Sequence, residues 1–344
     1  MSKPDAPPRC PAIFGCDGKT LTPDEISFFR EIRPAGFILF GRNCESKKQM
    51  RALTDRMREI VGCQDVPILI DQEGGRVARL RPPVWRAPPP ASLFGMIYAD
   101  DRGRARAATF LNSRLIAHEL LELGITVDCL PVLDVPQPGS HEIIGDRAYG
   151  ATAAQVIDLG RVAADGLMQG GVLPVIKHIP GHGRALADSH LSLPAVDTAE
   201  RELEAVDFAP FRALADIPFA MTAHVLYTAL DSSAPATQSA RIVNRVIRGH
   251  MNYDGVLMTD DLSMQALRGD FAERTRGSLD AGCDLLLHCN GKMSEMTQIA
   301  TAAGSMCLRT AERLARARAH RHAPGAFDAT AGLREFAGLI QGYA

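Results

Sequence analysis

Short apolar runs, each ending in polar residues, recur along the chain: AIFGCDG (12–18), GFILFGRN (36–43), PILIDQEGG (67–75), ITVDCLPVLD (125–134), VLPVIKH (172–178), PFAMTAH (218–224), GVLMTDD (255–261) and CDLLLHCN (283–290). Continuous apolar runs of this length read as strands buried on both faces. Between most of them lie stretches of helical period, from Lys48 to Val61, Ala105 to Leu123, Gln155 to Gln169, Ala199 to Ala215 and Ala240 to Asn252. Such alternation requires a parallel sheet covered by helices, and eight units predict an α/β fold closed as a (β/α)8 TIM barrel. An open doubly wound sheet is the competing fold, but its G-x-G-x-x-G phosphate-binding turn is missing here.

In a barrel the active site forms at the C-terminal ends of the strands. The polar ends of the runs place Arg42, Asp71, Glu73, Lys177, His178, His224, Asp260 and Asp261 there. One catalytic domain over 1–344 is expected, with a barrel core at about 12–320 and a tail, 321–344, whose amphipathic LREFAGLI packs outside. Two insertions interrupt the alternation, the Pro-rich RPPVWRAPPPAS (81–92) and RALADSHLSLPAVD (184–197). Loops of that length on a barrel build the site or gate it.

Composition narrows the partners. With 46% hydrophobic and 23% charged residues the chain reads as globular, and 38 basic against 40 acidic side chains leave a formal charge of -2. No field of one sign exists to recruit nucleic acid or an anionic membrane, so a pocket is expected to choose a small ligand. The eight cysteines are scattered without a C-x-x-C pair, a pattern of buried thiols in a reducing compartment rather than a disulfide framework or zinc site. The first residues hold no apolar signal core and no run approaches a membrane span, so a cytoplasmic location is expected.

The densest cluster of reactive side chains is KHIPGHGRALADSH (177–190), with Lys177, His178, His182, Asp188 and His190. A metal site is one reading, but the histidines lack H-E-x-x-H spacing and the lysine would repel a cation. His182, between two glycines, reads more simply as a backbone-bonded loop residue. Asp188 and His190, two apart, can form a dyad in which the carboxylate orients the imidazole for acid and base work. TDDLSM (259–264) follows the seventh run and is expected to open a helix, where one carboxylate caps it. The other is free to face a ligand, and a retaining glycosidase needs such a carboxylate to attack the anomeric carbon. DQEGGRVARL (71–80) sets Asp71 and Arg79 around a Gly-Gly turn, suited to neighbouring sugar hydroxyls or else to a structural ion pair. Arg147 in IGDRAYG has a similar claim.

Seven motifs, GFILFGRN, DQEGGRV, PVLDV, GDRAYG, KHIPGHG with DSH, AHVLY and DDLSM, occur in an order that resembles the family-3 β-N-acetylglucosaminidases of bacterial peptidoglycan recycling, from about residue 12 to about 290. The resemblance implies that Asp260 is the nucleophile and His190, oriented by Asp188, the acid/base. It further implies that Asp71, Arg79, Arg147, Lys177 and His178 hold the terminal sugar and its N-acetyl group, with Asp134 and His224 behind them. The lack of a following sandwich domain resembles the short Gram-negative cytoplasmic branch, which acts on N-acetylglucosamine β-1,4-linked to 1,6-anhydro-N-acetylmuramic acid, with or without a stem peptide. No cofactor and no metal are implied, and a monomer is the default. Asp146 stands where the family often has Asn and Ile179 where it often has Phe; the extra charge of Asp146 is expected to compete for Arg147. The rival readings are a β-glucosidase or glycoside phosphorylase on the same scaffold, a metal-dependent amidohydrolase built on the histidine-rich loop, and a sugar-binding protein with a dead site.

Overall fold

A computed structural model describes residues 9–343. Eight parallel strands close into one barrel: β1 (Cys10–Phe14), β2 (Pro34–Leu39), β3 (Ile68–Ile70), β4 (Val127–Asp128), β5 (Leu173–Ile179), β6 (Phe219–Thr222), β7 (Val256–Asp261) and β8 (Leu285–His288). Each strand pairs with its neighbours in sequence, and β1 closes on β8 with Ala12 opposite Leu286. The TIM barrel expected from the eight runs is therefore the fold. One apolar cluster takes residues from every strand, among them Ile13, Ile38, Leu69, Val127, Val175, Met221, Met258 and Leu285, and fills the barrel interior. Two larger clusters lie between strands and helices. Burial on both faces explains why the strands read as unbroken apolar runs.

The run at 125–134 yields the least strand. Only Val127–Asp128 pair regularly, followed by an isolated bridge from Val132 to Lys177, because Pro131 interrupts the ladder. The helix expected over Ala199 to Ala215 is two short ones, Glu200–Val206 and Ala209–Ala213, the second with a proline in its first turn. The stretch Ile242–His250 is wound as a π-helix. Beyond the Pro-rich insertion an unforeseen helix, Ala91–Asp100, packs on helix Arg102–Glu122. TDDLSM opens no helix: turns follow β7, and the next helix, Phe271–Ala281, is capped by Asp270 instead. The C-terminal helix Ala329–Ile340 lies against helix Arg102–Glu122, whose Arg104 donates from Nε to the carbonyl of Leu339 at 2.6 Å.

Both insertions reach the open end of the barrel. After β3 the chain turns back as a hairpin, Gln72–Gly74 against Val77–Ala78. Gly74 and Gly75 have φ of +107° and +54°, and a Cβ on Gly74 would meet the Pro89 carbonyl oxygen at 2.2 Å. Glycine is thus required twice, for the left-handed backbone and for the approach of the Pro-rich segment. The 184–197 loop is tied to the segment after β7 by Ala266 and Gln265, whose N–H groups donate to the carbonyls of Ser189 and His190 at 3.2 and 3.3 Å.

Candidate active site

A cavity of about 250 Å³ opens at the C-terminal ends of the strands, and Asp71, Arg79, Arg147, Lys177, His178, His190 and Asp260 all line it. Residues separated by up to nearly two hundred positions thus meet in one place. Asp188 stands behind His190 rather than on the wall.

Lys177, from β5, is almost wholly buried and reaches two carboxylates, Asp71 at 2.9 Å and Glu73 at 2.6 Å. The same two acids take the arginines. Arg79 donates to Asp71 Oδ2 at 2.9 Å, and Arg147 donates through Nε and Nη2 to both Glu73 oxygens at 2.8 and 2.9 Å, a two-point fork. Burial works against charge on these acids, but the adjoining cations prevail and hold Asp71 well below the usual range and Glu73 down at about 2. Burial likewise opposes the Lys177 ammonium, and Asp71 and Glu73 more than restore it, raising its pKa. Five charges therefore form one fixed cluster on the cavity wall.

Asp260, at the end of β7, is 13% exposed in its side chain, enough to face the cavity. Burial disfavours its charge, but His178 and the backbone N–H of Asp261, which donates to Oδ1 at 2.8 Å, hold the carboxyl below its ordinary range. His178 Nε2 lies 4.0 Å from Asp260 Oδ2, while its Nδ1 lies 2.6 Å from Asp134. A carboxylate on Nδ1 fixes the proton there. Fully buried Asp134 also accepts the N–H groups of His178 and His182 at 3.2 and 2.6 Å, so it holds the whole turn after β5.

The second aspartate of the pair, Asp261, has a different occupation. It accepts from Ser263 N and Oγ at 3.0 and 2.6 Å and from Cys289 N at 3.2 Å, closing the turn after β7. His224 lies wholly buried, with Nε2 at 3.1 Å from the Asp261 carbonyl and Nδ1 at 2.7 Å from Thr237 Oγ1. It therefore supports the backbone beside Asp260. Arg42 is likewise structural: its Nε donates to the Cys16 carbonyl at 2.9 Å and its Nη2 to that of Cys289.

His190 sits on the long loop with its side chain 56% exposed, and its Nδ1 and backbone N–H both lie 2.8 Å from Asp188 Oδ1. Burial raises the Asp188 pKa, but its bonds to His190 together outweigh this and lower it, so the carboxylate form results. With Nδ1 turned to Asp188, Nε2 is the nitrogen left for a ligand.

Three readings of the sequence change. Asp146 does not compete for Arg147; it accepts from Arg76 Nε at 2.7 Å at the cavity mouth, while Glu73 holds Arg147. Glu73, placed on the rim with no role, is the anchor of the cluster. The signal for it was the spacing, since residues 71 and 73 on an extended segment share a face. His182, expected to be a loop histidine, lines the cavity almost fully buried, with Nε2 at 3.3 Å from Ser189 Oγ. Among the described residues no three His, Cys, Asp or Glu side chains converge in a way that could hold a metal ion. None of the described helices is long and apolar enough to cross a membrane.

Residues 25–320 match the model of the glycosyl hydrolase family 3 N-terminal domain. A β-hexosaminidase of Alkalilimnicola ehrlichii is 41% identical over 286 residues, 81% of this chain and 80% of the relative. One from Methylobacillus flagellatus is 36% identical over 318 residues, 91% and 89% of the two chains. Among solved structures, NagZ from Neisseria gonorrhoeae in complex with N-trifluoroacetyl-D-glucosamine superposes with a TM-score of 0.88 at 30% identity, covering 98% of this chain and 100% of that one. The motifs, the barrel and these likenesses agree: the chain belongs to glycoside hydrolase family 3 and is a glycosidase of the β-N-acetylhexosaminidase type.

Proposed function

We propose that this protein is a retaining β-N-acetylglucosaminidase that removes terminal N-acetylglucosamine from peptidoglycan-derived muropeptides, among them the disaccharide with 1,6-anhydro-N-acetylmuramic acid, through a covalent glycosyl-Asp260 intermediate. The observation that carries the reading is the position of Asp260. An ionised, nearly buried carboxylate faces a cavity of about 250 Å³ whose lining also includes His190. The N-acetylglucosamine part draws support from the β-hexosaminidase relatives and from the neighbour holding an N-acylglucosamine analogue.

In the first step an Asp260 oxygen bonds to the anomeric carbon as the glycosidic C–O bond breaks, and the leaving oxygen takes the proton of His190 Nε2. In the second step the same Nε2 accepts a proton from water, whose hydroxyl adds to the anomeric carbon and releases Asp260. Two inversions leave the configuration retained. Asp188 keeps the His190 ring oriented through both steps. Asp71, Arg79, Arg147, Lys177 and His178 hold the sugar, the charged groups as pre-paired donors and acceptors whose geometry is fixed before substrate arrives. We read the barrel and its outer C-terminal helix as one catalytic unit, monomeric and cytoplasmic.

Release of aryl alcohol from an aryl β-N-acetylglucosaminide and from the β-glucoside, by wild type and by Asp260→Ala, with and without chelator and with added phosphate, tests the reading. Turnover of the N-acetyl substrate alone, lost in the variant and giving free sugar whether or not phosphate is present, is expected. Full activity in Asp260→Ala would remove that residue as nucleophile, and sugar 1-phosphate as product would make the protein a phosphorylase.

A further inference from the structure

Behind the charged cluster lies a fully buried pair with no part in the chemistry described above. Asp128, from β4, accepts the backbone N–H of Gln72 at 2.9 Å through Oδ1. Gln72 is itself wholly buried, and its side chain grips the far end of the hairpin: Oε1 accepts the N–H groups of Arg79 and Leu80 at 2.9 and 3.0 Å, and Nε2 donates to the Leu80 carbonyl at 3.1 Å. Residue 72 stands between Asp71 and Glu73, so a single buried residue fixes the backbone of Asp71, Glu73 and Arg79 together. The other Asp128 oxygen, Oδ2, has no hydrogen-bond partner among the described residues.

We propose that Asp128 is a positioning residue for sugar binding, holding Gln72 as a neutral carboxylic acid and through it the Asp71, Glu73 and Arg79 side chains. The proposal rests on the reading that those side chains hold the sugar. The state of the acid follows from its surroundings. Burial raises its pKa well above the usual carboxylate range, and of the charged groups near it Lys177 favours ionisation while Asp71 and Glu73 oppose it. Neighbouring Cys129 is a buried, neutral thiol, its pKa also raised chiefly by burial. A carboxylate with one hydrogen bond and no cation of its own is among the costliest groups to bury, whereas the neutral acid leaves only one hydroxyl unbonded. Lys177 is already engaged by Asp71 and Glu73 at 2.9 and 2.6 Å.

The test compares Asp128→Asn and Asp128→Ala in the wild-type assay, once the wild type has been shown to turn over the aryl β-N-acetylglucosaminide. Asparagine reproduces the shape and neutrality of the acid and keeps the acceptor, so KM, kcat and the pH profile should stay within about twofold of wild type. Alanine removes the acceptor, and KM should rise about tenfold, the scale of one buried hydrogen bond, with kcat changing less. Thermal unfolding accompanies each variant. A folded Asp128→Asn that loses tenfold or more in kcat/KM, or a folded Asp128→Ala with unchanged KM, would overturn the proposal. Should Asp128→Ala not accumulate folded, the asparagine variant decides alone. Inactive wild type would instead count against the glycosidase reading.

Discussion

Glu73 offers the sharpest test of how the site is held. Its carboxylate accepts two bonds from Arg147 and contacts Lys177, and it is 6% exposed. In Glu73→Leu the two cations fare differently. Lys177 keeps Asp71 at 2.9 Å, whereas Arg147 retains only the Ile143 carbonyl at 3.1 Å. Removing one partner of a buried ion pair costs about 3–5 kcal/mol because the other charge is stranded. With Lys177 still paired, the lower end applies, about 3 kcal/mol, and a melting temperature lower by several degrees. Freed from its fork, Arg147 should also bind sugar less well, raising KM by roughly tenfold to a hundredfold, or about 1.4–2.8 kcal/mol. Glu73→Gln keeps an oxygen acceptor and loses only the charge, so it should fall about midway between wild type and leucine in both measurements. The assay is initial rate against aryl β-N-acetylglucosaminide concentration, beside calorimetric unfolding. A Glu73→Leu protein with wild-type melting and wild-type KM would show that the cluster neither stabilises the hairpin nor presents Arg147, and the account of the cavity wall would fail.

His190→Ala should cost about 10²–10⁴-fold in kcat for a poorly activated leaving group and much less for a nitrophenyl one, since only the former needs the proton; equal losses for both would refute acid catalysis by His190. The structures with and without bound sugar should differ in the 184–197 loop, bringing the half-exposed His190 ring nearer the anomeric carbon; an equal separation in both would show that the loop does not close. His182 supplies a pH signature. Chiefly through burial its pKa falls to about 4 in the folded protein, against roughly 6.5 unfolded. The unfolded chain therefore binds the extra proton first, and the stability present above about pH 6.5 is lost as pH falls toward 4, by roughly 3 kcal/mol. Unfolding of His182→Gln between pH 7 and 4 should be flatter than wild type, and parallel curves would contradict this.

The barrel was legible because parallel strands must be apolar on both faces, and that leaves unbroken runs that no other element needs. What those runs do not encode is register. Arg147 and Glu73 are 74 residues apart and Lys177 and Asp71 are 106 apart, and no local pattern says that Glu73 takes Arg147 while both carboxylates share Lys177. The same blindness sent Asp146 to the wrong arginine: it is next to Arg147 in sequence but its carboxylate bonds Arg76 across the cavity mouth. Helix boundaries failed where tertiary contacts override propensity, as in Glu200–Val206 and Ala209–Ala213, which periodicity alone merges. TDDLSM misled because an Asp before an apolar residue is a good helix cap in isolation, while here Asp261 is consumed by Ser263 and Cys289.

The charges of the cavity cluster nearly match one another. Asp71 and Glu73 carry two negative charges, and Lys177, Arg79 and Arg147 three positive ones, so the paired cluster is left with one positive charge. Asp260 adds a negative charge beside it, its ionised form favoured first by His178 and His224, then by the Asp261 N–H, and least by Lys177. A buried carboxylate stays ionised only if nearby charges and hydrogen bonds offset its desolvation. The balance also suits the ligand. A terminal N-acetylglucosamine is uncharged, so on the proposed reading it is chosen by where the donors and acceptors of the wall stand. On the proposed mechanism, positive charge developing at the anomeric carbon meets the Asp260 carboxylate.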